Sequence, residues 1–346
     1  MFTLTPRKLS FISCSVTTCK EKSSTVIETY VFHDRYVFRR NLASTAIWLA
    51  VYDVSRGTTC LARRPGMLLG CPKLIPRGER VSARILAIAN QKGGVGKTTT
   101  AVNIASGLAA AEKRVLLVDG DPQANATNGL GVSPSSFELS SYDVLLDPTV
   151  AGAAIVQSVH FESLDLMPAT PDLAAAEIEL VGEARRELRM RDALDRVRQS
   201  YEFVVIDCPP SLGLITLNML AAADAVLIPL QCEYYALQGL SQLLRTIEIV
   251  QSGVSPDLVI DGVILTMFDS RLNLSRQVVE DARAHFGSLV FSSIIPRNIR
   301  LAEAPSFGKP IIAYDVGSVG AQAYLSVVRE LIERTQTAMK PAHAVV

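Results

Sequence analysis

A glycine-rich stretch, placed between an apolar run and a helical pattern, constrains the fold of this chain more than any other feature. Residues 90–100 read NQKGGVGKTTT, and residues 84–90 read RILAIAN. Apolar residues then recur at helical spacing, at Ala101, Ile104, Ala105 and Leu108. A strand, a glycine loop and a helix in this order form a unit in which backbone amides surround a phosphate group. The sequence therefore predicts a βα unit with a phosphate site at its loop.

The loop departs in two ways from the usual phosphate-binding pattern, G-x-x-x-x-G-K-[ST]. Gly96, Lys97 and Thr98 match the end of that pattern. Gln91 stands where the first glycine is expected, and Lys92 adds a second lysine. We expect Lys97 to contact the β- and γ-phosphates of a nucleotide and the Thr98 hydroxyl to bind Mg²⁺. The nucleotide contacts predicted within the loop are Gly93, Gly94, Val95, Gly96, Lys97, Thr98 and Thr99.

Further apolar runs indicate a succession of buried strands. They are residues 114–119, 164–169, 203–207, 225–230, 262–268 and 292–296. Helical stretches separate them, and a last helix is expected over residues 319–335. Strands that are apolar on both faces and alternate with helices predict an α/β fold, with a mostly parallel, twisted sheet and helices on both faces.

Two acidic stretches stand at the ends of predicted strands. VDGDPQ contains Asp119 and Asp121, and VVIDCPPS contains Asp207. A Mg²⁺ ion beside a phosphate loop usually takes a carboxylate from such a strand end, and we assign that role to Asp207. Asp121 is expected to orient the attacking water. Asp119 either shares in this site or caps the turn after its strand, as strand-end aspartates often do.

Residues 1–83 differ from the rest of the chain in composition. They hold thirteen Lys and Arg against five Asp and Glu, a net charge of +8, so the remainder of this neutral chain carries −8. They are rich in Ser, Thr and Arg and show neither helical nor strand periodicity. We expect an N-terminal extension that is either disordered or absent because translation starts near Met67. A domain over residues 84–335 and a flexible tail over residues 336–346 complete the predicted organisation.

The cysteines and the longest apolar stretch indicate no special chemistry. Cys208 and Cys232 lie in apolar segments and are predicted to be core residues, and the other four cysteines lack the paired short spacings of a zinc site. We expect a reducing compartment. Polar residues and a proline interrupt the apolar residues 212–230, which favours a helix followed by a strand over a membrane span.

Several motifs in their order resemble those of the ParA/Soj chromosome-partitioning ATPases. They are KGGVGKTTT, VDGDPQANAT, IDCPPSLG, QCEYYALQGL and IPRNIRLAEAPSFGKPI, and the resemblance covers residues 84–335. The wider group is the deviant-Walker P-loop ATPases, which includes MinD and the nitrogenase iron protein. The resemblance implies ATP and Mg²⁺ as cofactors, hydrolysis of ATP to ADP and phosphate, and a homodimer that forms on ATP binding.

The resemblance also gives the second lysine of the loop a role. In proteins of this type, a lysine at the position of Lys92 reaches across a two-fold interface to the phosphates of the partner's nucleotide. There it stabilises developing charge, as an arginine finger does. Lys92 is therefore expected to bind nucleotide and to be catalytic together with Lys97 and Asp121; a solvated loop lysine is the alternative. Pro296 and Asn298 are also expected to contact the nucleotide.

Two further partners follow from the resemblance, namely DNA and a ParB-like centromere-binding protein that stimulates hydrolysis. The main domain carries −8, so a DNA surface needs arginines gathered in space. The resemblance implies DNA-contacting arginines in FDSRLNLSR and IPRNIRLAEAPSFGKP, and we select Arg271 and Arg300. Arg297 serves either DNA or the nucleotide and interface. The alternative for these arginines is an ion pair with a nearby carboxylate: Glu280, Asp281 or Glu303.

Other functions of this group are disfavoured by what the sequence lacks. The final residues, ERTQTAMKPAHAVV, do not form the basic amphipathic helix of a MinD-like membrane protein, and no C-x-x-C pair suits an iron–sulfur carrier. We expect a cytoplasmic, nucleoid-associated protein that binds no membrane, with a positioning ATPase for a non-DNA cargo as the alternative function. In QCEYYAL, Glu233 and the two tyrosines either form a catalytic acid with an aromatic platform or, as we favour, pack at a helix start and an interface.

Overall fold

The computed structural model describes residues 16–20, 26–32, 36–41, 83–233 and 240–338. The chain divides into two units, Met1–Pro76 and Arg77–Val346. The described strands of the first unit form an antiparallel meander: β1 (Val16–Lys20), β2 (Val26–Phe32) and β3 (Tyr36–Asn41).

The meander is a finding that the sequence analysis did not predict. The β-branched and aromatic residues of VIETYVF and YVFRRN favour strands, and this was the available signal. Met67 lies outside the described residues, as do residues 339–346 of the predicted tail. The predicted domain boundaries stay predictions.

The second unit alternates strands with helices, as the apolar runs predict. Its strands are β4 (Arg84–Ile88), β5 (Val115–Asp119), β6 (Leu164–Met167), β7 (Phe203–Asp207), β8 (Ala225–Gln231) and β9 (Val259–Thr266). Its α-helices among the described residues are α1 (Lys97–Ala110), α2 (Asn125–Gly129), α3 (Ser141–Leu146), α4 (Ala176–Glu179), α5 (Arg189–Val197), α6 (Leu214–Ala222), α7 (Leu240–Ser252), α8 (Asn273–Phe286), α9 (Ile299–Glu303), α10 (Ile311–Tyr314) and α11 (Val319–Ala338).

These strands form one parallel sheet in the order β6-β5-β7-β4-β8-β9. The strand that leads into the glycine loop, β4, therefore lies between β7 and β8. Its last residue, Ile88, pairs in register with Asp207 at the end of β7, and Asp207 pairs with Asp119 at the end of β5. Because all these strands point the same way, the loop and both aspartates meet at one edge of the sheet.

Alternate residues of the strands pack into two apolar clusters, one on each face of the sheet. Leu86 and Ile88 belong to the cluster that includes α1 and α11, where the hydroxyl groups of Thr100 and Tyr324 are hydrogen-bonded at 3.0 Å. Ile85 and Ala87 belong to the cluster that includes α3, α5, α6, α7 and α8. The predicted α/β fold, with a parallel sheet covered on both faces, is confirmed.

One predicted strand, residues 292–296, is not a strand in the structure. Among the described residues, only isolated bridges join this part of the chain to the region of β9: Val290, just before the segment, bridges to Val263, and Pro296 bridges to Phe268. The backbone amides of Ser292 and Ser293 donate instead to the Glu330 carboxylate, at 2.9 and 3.1 Å. Glu330 on α11 thus binds two adjacent backbone donors of this segment, while the Ile295 amide still donates to the Leu265 carbonyl oxygen of β9 at 2.8 Å.

Three smaller predictions are confirmed. The apolar residues 212–230 contain α6 followed by β8, and the last helix, Val319–Ala338, extends three residues beyond its predicted end. Cys208 and Cys232 are free and buried. Within the described ranges, no helix has the length and apolar character that crossing a membrane requires.

Candidate functional site

The glycine loop connects β4 to α1 at the centre of the sheet. Gly94 and Gly96 have φ angles of +75° and +87°, in the left-handed region that favours glycine. Val95 between them is buried, and its carbonyl oxygen accepts a hydrogen bond from Thr266 Oγ1 at 2.9 Å, which fastens the loop to β9. Helix α1 begins at Lys97, and the free amides of a helix N-terminus bind anions. The loop therefore has the context that the sequence predicts for a phosphate site, while its individual nucleotide contacts stay predictions.

Two polar residues before the glycines set the entry to the loop. Asn90 is buried; its Nδ2 donates to the Pro229 carbonyl oxygen at 2.8 Å, and its Oδ1 accepts from the Lys92 amide at 3.0 Å. The sequence analysis missed this role, although a polar residue directly after a buried strand was a usable signal. Gln91, in the place of the usual first glycine, has a buried Nε2 with no hydrogen-bond partner among the described residues. A buried, unpaired donor in a phosphate loop suits an anionic ligand.

Lys97 is a buried cation at the bottom of the loop. The residue is 7% exposed, and its Nζ donates to the Lys92 carbonyl oxygen at 3.2 Å. Burial lowers the pKa of Lys97, although the nearby charges of Asp207 and Asp121 act in the opposite direction. An ammonium group held in this way gains most from an anion that enters the loop, as expected of a lysine that binds phosphates.

Asp207 has the properties of a carboxylate that is suited to bind a cation. It is fully buried, and neither of its carboxylate oxygens has a hydrogen-bond partner in the part of the chain that the structure describes. Burial, and then the charge of Asp119, raise the pKa of Asp207 well above its ordinary value, while the neighbouring Thr98 hydroxyl acts in the opposite direction. A divalent cation would reverse this shift by stabilising the ionised form. The described residues contain no group of three or more acidic, His or Cys side chains for a metal, but Mg²⁺ commonly uses one or two protein oxygens together with phosphates. Asp207 and the Thr98 hydroxyl fit that arrangement.

Both oxygens of the Asp119 carboxylate accept hydrogen bonds from nearby residues. Its Oδ1 accepts from the Asp121 amide at 3.2 Å, and its Oδ2 accepts from the amide and the hydroxyl of Thr127 at 2.8 and 2.7 Å. Of the two roles that the sequence leaves open, these bonds favour the structural one. They hold the β5–α2 turn in place, and Asp121 lies in that turn.

Asp121 remains the candidate for orienting water. It is 7% exposed, and its Oδ1 accepts from the Gln123 amide at 2.9 Å. Its charge acts on both Lys97 and Asp207, raising the pKa of each, so the three groups belong to one electrostatic site. The catalytic role of Asp121 stays a prediction.

Lys92, the second lysine of the loop, forms an ion pair with a residue outside the loop. Lys92 Nζ lies 3.7 Å from Glu233 Oε2, and the two side chains are 33% and 46% exposed. The other oxygen of Glu233 accepts from Arg297 at 3.3 Å and from Gln231 at 2.6 Å. Glu233 therefore acts as an ion-pair partner near the loop, which its sequence context did not reveal. The tyrosines that follow it, Tyr234 and Tyr235, lie outside the described residues.

The amino-acid sequence is similar to those of several known proteins. Residues 83–260 match the AAA domain family. The chain is 56% identical over 261 residues to the chromosome partitioning protein ParA of Myxococcus xanthus, across 75% of this chain and 92% of that protein. It is 54% identical over 248 residues to the sporulation initiation inhibitor protein Soj of Bacillus subtilis, across 72% of this chain and 98% of that protein.

This chain belongs to the ParA/Soj family of chromosome-partitioning ATPases. Among solved structures, it resembles the cobyrinic acid a,c-diamide synthase of Mycobacterium smegmatis, with a bound ATP analog and magnesium. The sequence identity is 41% and the TM-score is 0.65, across 75% of this chain and 98% of that one. The family and the fold inferred from the motifs are thus confirmed.

In this ParA/Soj chain, Pro296 and Asn298 lie just before α9. Pro296 bridges to Phe268 beyond the end of β9, and Asn298 has a buried Oδ1 with no hydrogen-bond partner among residues 83–233 and 240–338. A cavity lies beside α1, lined by Thr98, Thr99, Asn125, Gly129, Pro305 and Lys309 among others. It adjoins the loop on the α2 side. The nucleotide contacts of Pro296 and Asn298 stay predictions.

The selected arginines of the ParA/Soj chain are exposed, and both form ion pairs. Arg271, 84% exposed at its side chain, binds the Asp269 carboxylate at 2.9 and 2.6 Å and lowers the pKa of Asp269 to about 2. Arg300, 53% exposed, pairs with Glu303 at 2.9 Å, which is one of the alternatives that the sequence leaves open. The two loops that carry them begin next to each other: the Arg297 amide, in the loop of Arg300, donates to the carbonyl oxygen of Phe268, in the loop of Arg271, at 2.9 Å. A DNA-binding role for these arginines stays a prediction.

Proposed function

We propose that this ATPase partitions DNA as a dimer whose assembly depends on ATP. ATP closes two subunits around two nucleotides, the dimer binds DNA without sequence preference, and hydrolysis releases it. A ParB-like centromere-binding protein stimulates hydrolysis. The protein acts in the cytoplasm, on the nucleoid.

The observation that carries this proposal is the different setting of the two loop lysines. Lys97 is buried and bonded within its own loop. The Lys92 side chain is one-third exposed, and its ion pair lies at the surface, within reach of a second subunit. A lysine supplied across an interface stabilises charge on the transferred phosphoryl group and makes the nucleotide part of that interface. Dimerisation would therefore require ATP.

Within one subunit, the chain's own residues divide the work on ATP and Mg²⁺. Lys97 and the loop amides of residues 93–99 bind the phosphates, and Pro296 and Asn298 contact the nucleotide outside the loop. Thr98 and Asp207 hold Mg²⁺, which neutralises phosphate charge when bound. Asp121 orients the attacking water, a task on which phosphoryl transfer depends strongly because positioning supplies most of the catalysis.

DNA binding in this proposal comes from the loops after β9 and before α9. One subunit offers few arginines there, and a two-fold dimer doubles that number, so nucleotide state controls affinity. Since the contacts are to phosphates, binding should be insensitive to sequence and should weaken steeply with salt. The ion pairs of Arg271 and Arg300 are exposed, and exposed pairs contribute little to stability, so DNA phosphates can replace their carboxylate partners.

The test is fluorescence anisotropy with labelled duplexes of two unrelated sequences, without nucleotide, with ADP, and with ATP and Mg²⁺. Binding is expected only with ATP. The double change Arg271→Glu and Arg300→Glu should weaken it about tenfold or more while leaving ATP-dependent dimerisation intact. The matched control is Arg185→Glu with Arg283→Glu, which changes the net charge equally at exposed arginines outside both loops.

A positioning ATPase for a non-DNA cargo is the second candidate. The observation in its favour is that Arg271 and Arg300 already have carboxylate partners within an acidic domain. Equal DNA binding in all nucleotide states, or binding unaffected by the double change, would favour this second function, because the ATP residues are common to both.

A further inference from the structure

Glu233 connects the glycine loop to two other segments through one carboxylate. Its Oε2 lies 3.7 Å from Lys92 Nζ, and its Oε1 accepts from Arg297 Nη2 at 3.3 Å and from Gln231 Nε2 at 2.6 Å. Gln231 is the last residue of β8 and is 8% exposed, so one partner of the carboxylate is fixed in the sheet. The carboxylate therefore has a defined position beside the loop.

The main chain of Lys92 is fixed as well. Its amide donates to Asn90 Oδ1 at 3.0 Å, and its carbonyl oxygen accepts from Lys97 Nζ at 3.2 Å. What remains free to move is the Lys92 side chain, and Glu233 binds its end. A lysine that must reach the phosphates of a partner's nucleotide cannot keep this contact at the same time, because the ammonium group is a compact charge on one flexible stem.

We propose that Glu233 is an autoinhibitory residue that retains Lys92 on its own subunit and so opposes ATP-dependent dimerisation. This inference rests on the proposed function, in which Lys92 crosses the interface. The phosphates of a bound nucleotide in a second subunit and the carboxylate of Glu233 compete for the same ammonium group. The equilibrium between separate subunits and the dimer then includes the breaking of two such ion pairs, one in each subunit.

The expected effect is modest, because the pair is partly exposed. Measured pairs of this kind change equilibria by up to about fivefold each. Glu233→Gln keeps the size of the side chain and an acceptor for Gln231 but removes the charge. In the presence of Mg²⁺ and a non-hydrolysable ATP analogue, its dimer dissociation constant should fall about two- to twentyfold, since both subunits lose the competitor.

Sedimentation velocity on the full chain measures this constant. The matched control is Glu202→Gln, which removes a partly exposed Lys113–Glu202 pair at the opposite edge of the sheet and should leave dimerisation unchanged. Raising the salt concentration should narrow the difference between Glu233→Gln and the parent, because salt screens the pair in the parent. A structural effect of the substitution would not depend on salt in this way.

If Glu233→Gln fails to fold, Glu233→Asp, which is too short to keep both cations, should tighten the dimer by a smaller factor.

The outcomes separate this inference from the proposed function. A tighter dimer with Glu233→Gln, and a gap that closes with salt, would support it. Suppose that the parent forms a dimer and that Lys92→Ala loses it. An unchanged or weaker dimer of Glu233→Gln would then overturn the autoinhibitory role alone. A parent chain that forms no dimer with the analogue would overturn the proposed function and this inference together.

Discussion

The buried carboxylate of Asp119 accepts hydrogen bonds from both the amide and the hydroxyl of Thr127, at 2.8 and 2.7 Å. Thr127 Oγ1 in turn accepts from the Ala169 amide at 3.0 Å, so the ends of β5 and β6 are joined through α2. The amide of Asp121 donates to the same carboxylate at 3.2 Å. The residue that we expect to orient water is thus held by a buried acid two positions before it.

The first prediction concerns the pH dependence of stability. Burial raises the pKa of Asp119 from 3.8 to about 6. The folded protein therefore keeps a proton that the unfolded chain loses, so the contribution of this group to stability is complete below pH 3.8 and is lost as pH rises through about 6. Asp119→Asn cannot titrate. Its free energy of unfolding, relative to the parent's, should rise by on the order of 1 kcal/mol per pH unit across this interval, measured by urea unfolding.

Thr127→Val is the control for that experiment. It keeps the titrating carboxylate but removes one hydrogen bond to it and the acceptor of the Ala169 amide, at a cost of about 1–3 kcal/mol. The pH dependence of the parent should persist in this variant. Parallel pH curves for the parent and Asp119→Asn would show that Asp119 does not titrate in this range.

The second prediction concerns nucleotide binding by Lys97. Lys97→Ala removes the buried cation of the loop, so affinity for ATP should fall at least about a hundredfold, given the strength of charge-assisted bonds to phosphate. Isothermal titration calorimetry measures the affinity. Lys113→Ala, beyond the other end of α1, should bind ATP like the parent. Parental affinity in Lys97→Ala would show that the loop does not bind the phosphates in the expected way.

The third prediction separates assembly from turnover. Asp121→Ala removes the group that orients water and leaves Lys92, Lys97 and Asp207 in place. The variant should bind ATP and form the dimer, while kcat falls at least about a hundredfold. Phosphate release measures turnover, and sedimentation measures the dimer. Rapid hydrolysis by Asp121→Ala would move the catalytic role to another group, with Asp119 examined first.

The fourth prediction concerns Asp207 and has two parts. Burial raises the pKa of this carboxyl group, so the neutral isostere in Asp207→Asn should increase the thermal stability of the nucleotide-free protein at neutral pH. The same change should increase the Mg²⁺ concentration required for hydrolysis by about tenfold or more, because a charged ligand is lost. Differential scanning calorimetry and Mg²⁺ titration of ATPase activity measure the two effects. Lower stability together with unchanged Mg²⁺ dependence would exclude the metal role.

Much of the fold and of the candidate site could be predicted from short segments. The glycine loop, the apolar runs around it and Asp207 at a strand end are local patterns, and each local pattern restricts its own backbone. Residues 292–296 show the limit of this reasoning. Their apolar pattern predicts a strand, but Glu330, on a helix far along the chain, takes the amides of Ser292 and Ser293.

The sequence by itself determined the parallel sheet and the phosphate loop, because hydrophobic period and glycine geometry act over a few residues. The family was inferred from the resemblance of its ordered motifs. The tertiary structure decided which charged groups meet. It brought Glu233 to Lys92 across 141 positions of sequence and bound Thr127 to the Asp119 carboxylate. It also left the oxygens of Asp207 without hydrogen-bond partners among the described residues. Ion pairs and buried hydrogen bonds depend on distances between segments that strand order fixes, and no local pattern encodes those distances.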